Sequence, residues 1–215
     1  MGEPAKILFF CHLWLFFYNL LIGEEEGSMN IHAGYKKNRK PVYYHKKVKD
    51  REIQSLIKDL QSKDGLARQY AREKLVSMGR KVAERLADLL NHPDVILRWE
   101  AVKTLSQIAD PDSIPLLITA LYDKDEDIRW VAGEGLIAIG FPVINPLLDE
   151  LIKNPGSFFL RKGAHHFFTG SHDYRDYPEI SDLISALDAP NAKINTPGAA
   201  RMVRQALARN NTAAS

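Results

Sequence analysis

The chain has 215 residues, 45% of them hydrophobic and 26% charged, which are the proportions of a globular chain with a real core. A net charge of +2 gives no strong electrostatic footprint and singles out no partner. The one cysteine, Cys11, excludes an intramolecular disulfide and a cysteine-rich zinc site and fits a reducing, cytoplasmic compartment.

Residues Ile7 to Ile22 read ILFFCHLWLFFYNLLI. As a helix the run reaches roughly 24 Å, short of the roughly 30 Å of a bilayer core, and it carries His12 and Asn19. Lys6 before it suits a secretory signal, but Glu24, Glu25 and Glu26 stand where a small-residue cleavage site belongs. The codons of EEEGSM can hold a purine-rich ribosome-binding sequence ahead of Met29, which makes Met29 a candidate natural start and 1–28 a translated leader. Export, or anchorage at a membrane if 7–22 is retained, is the competing reading. Residues 29–48 form a basic lead-in. Within YKKNRKPVYYHKKVK, cations interleave with Tyr35, Tyr43 and Tyr44, a pattern that serves either as a nucleic-acid arm or as a solvated, partly disordered approach to the first helix.

From residue 49 to 210 the chain repeats itself. Arg68, Arg98, Arg129 and Arg161 lie 30, 31 and 32 residues apart. Three residues after each comes Ala71, Ala101, Ala132 or Ala164, and seven after comes Leu75, Leu105, Leu136 or Phe168. These spacings share one helix face, with the alanine marking a close approach by a neighbouring helix. A second phrase runs out of step with the first. Leu56, Leu86, Leu117, Leu147 and Leu183 hold its fifth place; Leu60, Leu90, Leu121, Leu151 and Leu187 hold its ninth. Gly79 and Gly140 suit left-handed helix ends, while Asp64, Asp94 and Asp125 or Asp127 suit N-caps. Pro93, Pro111, Pro142 and Pro155 fall between helices. The spacing therefore predicts helix–turn–helix units that cannot bury their apolar faces singly and must stack. A helix in TPGAARMVRQALARN caps the array, and 211–215 is a fraying tail.

The phrases DVILRWEAVKTLSQIADPDSIPLLITAL and DEDIRWVAGEGLIAIGFPVINPLLDEL resemble HEAT repeats, specifically the short bacterial phycobilisome-lyase HEAT-like type, over about Lys46 to Leu187. The resemblance implies an all-α fold, a right-handed α-solenoid of helix pairs. It implies no single function, since many scaffolds and a few enzymes share it. The deoxyhypusine hydroxylase branch holds two irons through His-Glu pairs just after the repeat arginine. Here the matching pairs are Trp99-Glu100 and Trp130-Val131, which lack imidazole, so those metal residues do not carry over and no cofactor is implied. No separate bilin motif is present, and the mixed charge of the repeats argues against the DNA glycosylase branch.

His166, His172 and Asp173, with His165 nearby, make the one metal-like cluster; the alternative is an exposed insertion beside residues that edge the repeat. Trp99 and Trp130 hold equivalent places in adjacent units, and with Glu100 they are candidate partner anchors; equally, each Trp can cover a seam in its own unit. The four arginines read as structural, bonding an Asp or a helix-end carbonyl. The favoured function is a non-catalytic scaffold for another protein or peptide. The alternatives are an accessory or lyase-type subunit acting on a modified protein, and a weak nucleic-acid binder through the basic segment.

Overall fold

In the computed structural model the described residues are 50–171 and 177–213, and among them every regular element is helical. The leader, the basic lead-in, His172 and Asp173 lie outside that set. The helices are α1 (Asp50–Asp59), α2 (Gly65–Met78), α3 (Ala83–Ala87), α4 (Val95–Ile108) and α5 (Ile114–Ala120). They continue as α6 (Glu126–Ile139), α7 (Ile144–Lys153), α8 (Phe158–Gly170), α9 (Pro178–Asp188) and α10 (Ala192–Ala213). The arginine phrase forms α2, α4, α6 and α8, which pack in that order in one layer. The leucine phrase forms α1, α3, α5, α7 and α9, which alternate with them along the chain, and together the pairs make an α-solenoid.

Local chemistry starts each arginine helix four residues before its arginine. The Asp64 carboxylate accepts from the Leu66 N–H at 2.9 Å, and Asp94 does the same for Ile96 at 2.9 Å. Asp125 takes the N–H groups of Asp127 and Ile128 at 3.0 and 3.3 Å, so Asp125 rather than Asp127 is the cap. Ser157 fills the place on α8. Each cap satisfies amides that the helix itself leaves free. Eleven residues after the arginine the chain turns out of the helix with positive φ, at Gly79 (64°), Ala109 (48°) and Gly140 (76°). Glycine adopts this conformation freely; alanine does so against its own Cβ.

The core follows the predicted columns. Ala71, Ala101, Ala132 and Ala164 are fully buried beneath neighbouring helices, and all ten leucines of the second phrase are buried. The sequence pattern missed a closer approach: a Cβ on Gly135 of α6 would lie 2.8 Å from the Ser106 Cα of α4, so only glycine fits there. α1, α3 and α5 stop short of the ninth place of their phrase, whereas α7 and α9 run past it. α3 ends at Ala87, and a tighter turn follows, with Leu89 and Leu90 donating to the carbonyls of Leu86 and Ala87. Leu60, Leu90 and Leu121 are therefore core residues carried on turns.

The C-terminal end departs from expectation in two ways. α10 begins at Ala192 rather than near Thr196, and it carries Pro197 inside it. It also packs on both α9 and α7, so the cap lies against the second-helix layer as well as against the last unit.

Two changes test this architecture. Leu117→Ala or Leu147→Ala, each emptying a fully buried site, is expected to cost about 2–5 kcal/mol, read as a lowered urea midpoint. Ala109→Gly, which relieves the left-handed alanine, is expected to add about 0.5–1 kcal/mol in the same measurement.

Candidate functional site

The four repeat arginines share one contact. In each, Nη1 donates to the carbonyl six residues upstream: Arg68 to Ser62 at 2.8 Å, Arg98 to His92 at 2.9 Å, Arg129 to Asp123 at 2.7 Å and Arg161 to Pro155 at 2.6 Å. The guanidinium thus ties each helix to the loop that delivers it. The rest of each guanidinium is used differently from unit to unit. Arg68 Nε donates to Glu100 of α4 at 3.1 Å. Arg98 makes a two-pronged pair with Asp123, Nε to Oδ2 at 2.7 Å and Nη2 to Oδ1 at 3.1 Å. Arg129 lies over the Phe159 ring of α8, 4.1 Å from its centroid.

Asp123 joins two units. Its carboxylate holds Arg98, it accepts the Asp125 N–H at 2.9 Å, and its carbonyl receives Arg129. The side chains of Arg98 and Asp123 are only 5% and 8% exposed. Burial alone would push the Asp123 acid upward; the Arg98 guanidinium and the Asp125 N–H outweigh it and hold the carboxyl below its ordinary range. The same pairing raises Arg98.

The structure separates the residues that the sequence grouped as partner anchors. Trp130 is 47% exposed on α6, its ring 4.2 Å from that of His166. Trp99 is half-buried against the core, with the Arg72 guanidinium 5.7 Å from its ring. Glu100 is 2% exposed; Arg68 holds one of its oxygens and Arg72 the other. Its charge is directed at α2, not outward. Beside it, the Lys103 amine is pushed down by burial and then by Arg72, with Glu134 opposing.

The adjacent histidines diverge. His166 Nε2 meets Glu134 of α6 at 2.8 Å; His165 Nε2 meets Asp188 of α9 at 2.9 Å. Gly133 makes room for His166, since a Cβ there would lie 2.7 Å from the ring. Each imidazole links α8 to a different neighbour. Among the described residues, no three His, Cys, Asp or Glu side chains converge as a metal site. At the places where the hydroxylase branch carries His-Glu pairs, the indoles supply no ligand nitrogen lone pair. Glu100 is already committed to two guanidiniums. These residues do not fit a pair of irons.

What faces outward is the starting edge of the arginine helices. Leu66, Val95, Ile96, Phe158 and Phe159 are exposed two or three residues before their arginines, and Tyr70 and Trp130 are exposed just after. A shallow groove of about 310 Å³ opens on this edge between α4 and α6. Val95, Ile96 and Trp99 line it, with Asp125 and Asp127 on one side and Arg68 and Glu100 on the other. Trp130, singled out by its repeat position, is exposed here, as are Val95 and Ile96, whose register in the sequence resembles a buried first turn.

Asp123→Ala, which leaves the Arg98 guanidinium buried without its carboxylate, is expected to cost about 3–5 kcal/mol. Because the Asp123 acid is depressed on folding, its contribution is present above the unfolded value of about 3.9 and is lost as pH falls through the lower folded value. Urea midpoints between about pH 2 and 5 should therefore fall less steeply with acid in Asp123→Asn than in the parent.

Comparison with known proteins agrees with the geometry. A stretch of 62 residues is 37% identical to deoxyhypusine hydroxylase of Rattus norvegicus, covering 28% of this chain and 20% of the length of that relative. The model of the family described as HEAT repeats matches residues 53–164, which are the stacked pairs from α1 into α8. The chain belongs to the HEAT repeat family.

Proposed function

We propose that the chain is a non-catalytic scaffold, acting in the cytoplasm, that binds another protein or a peptide along the starting edge of its arginine helices. The family supplies a helical repeat framework of the kind that mediates protein interaction. The observation that carries the reading is the exposed apolar edge, above all Trp130. A row of apolar side chains in water, repeated along stacked helices, gains free energy when a partner covers it. The polar contacts of the same face are internal: Glu100, Asp123, His165 and His166 each bind a neighbouring segment of this chain. No single helix among the described residues is long and apolar enough to cross a membrane. The phrases around Arg98 and Arg129 further support assigning the repeats to the phycobilisome-lyase HEAT-like type. With that assignment goes the second reading, an accessory or lyase-type subunit that acts on a modified protein.

Affinity capture followed by mass spectrometry tests the scaffold reading. The parent chain is expected to retain at least one specific protein that Trp130→Ala and Phe158→Ala release. Both positions are exposed, so each variant should melt within about 0.5 kcal/mol of the parent. Retention of every captured protein by both variants removes this edge as the docking face.

A further inference from the structure

We propose that the groove between the first turns of α4 and α6 seats a short peptide segment with a bulky apolar side chain next to a lysine or arginine. The inference rests on the scaffold reading and names the chemistry of what is bound.

The floor of the groove is apolar. Val95 and Ile96 are 41% and 49% exposed, and Trp99 lies one helical turn further along the same face. One large aliphatic or aromatic side chain laid there would remove all three from water. The volume of about 310 Å³ is at the lower end for a ligand pocket, room for a few side chains rather than for a whole helix.

The charge around the floor is lopsided. On one side Arg68 places Nη1 on the Ser62 and Lys63 carbonyls and Nε on Glu100. The second oxygen of Glu100 is held by Arg72. Both Glu100 oxygens on that side are thus taken by guanidinium groups. On the other side stand Asp125 and Asp127. Asp125 spends Oδ1 on the start of α6, while Asp127 has no cationic partner among the described residues. Glu126, exposed beside them, adds to the same sign. Among the lining residues Arg68 and Glu100 offset each other while Asp125 and Asp127 do not, which favours a cationic side chain within reach of Asp127.

The surface also runs on beyond the groove. Trp130 follows Asp127 by three residues and so shares its face of α6. An apolar residue in the groove, a cation at Asp127 and further chain over Trp130 describe a peptide rather than a compact small molecule.

The test is selection of phage-displayed random twelve-residue peptides on the full chain, followed by titration of labelled winners. The winners are expected to pair a large apolar residue with a neighbouring Lys or Arg, and to bind less tightly as salt rises. Their affinity should fall about ten-fold or more on Ile96→Glu and on Asp127→Lys. Both positions are exposed, and melting curves confirm that each variant is folded. Acidic winners, winners that bind both variants as tightly as the parent, or no winners at all overturn the assignment. If that happens while Trp130→Ala still releases a captured protein, the groove assignment falls and the scaffold reading stands. If neither experiment responds, both fall.

Discussion

Among the described residues, no helix pair can bury its own apolar surface. The arginine helices present alanine and leucine columns to both neighbours, and the second helices present paired leucines, so each unit is completed only by the next. This constraint explains where conformational freedom has been removed. Ala101 and Ala132 sit where helices meet, and Gly135 sits where even a methyl group would collide with the Ser106 backbone. It also gives the long α10 its place, packed on both α7 and α9.

The arginine of each unit solves a second problem, holding the loop between units at a fixed height against the helix it feeds. One nitrogen performs that task identically four times, through the carbonyl six residues upstream. The remaining donors are free to vary, and they have: a glutamate on the next arginine helix, an aspartate in the loop that feeds the next arginine helix, an aromatic ring on the next arginine helix. A repeated residue can thus keep one structural contact while its other contacts differentiate the units. The Arg98–Asp123 pair is the most buried of these, and removing one member exposes the other to the full cost of a lone interior charge.

The stacked-pair fold, the caps and the leucine columns were legible because they depend on local periodicity, which a sequence displays directly. Asp64, Asp94 and Asp125 precede their helices at one spacing, and that spacing is their function. What could not be read depends on contacts between units. Glu100 looks like an outward acid beside a tryptophan until α2 is placed against it and Arg68 and Arg72 close over its oxygens. Asp123 shows only a faint signal, being the one carboxylate among Ser62, His92, Asp123 and Pro155 at the loop position. The alternation of exposed and buried tryptophan is likewise invisible in RWEAVKTL and RWVAGEGL, because the same register meets Arg72 in one unit and His166 in the next.

That divergence between equivalent positions bears on function. If Trp99 and Trp130 served only to seal their own units, identical roles would favour identical surroundings. Instead Trp99 is half-buried under a guanidinium, while Trp130 stands in solvent with one face on an imidazole. The His166 imidazole, itself bonded to Glu134, lies against the Trp130 ring and leaves that side chain 47% exposed. Trp99 contributes its edge to the adjoining groove, where Val95 and Ile96 expose more surface than a first turn needs for packing. The repeat plan thus supplies the frame, and units built on the same register differ in which of their aromatic side chains they leave in water.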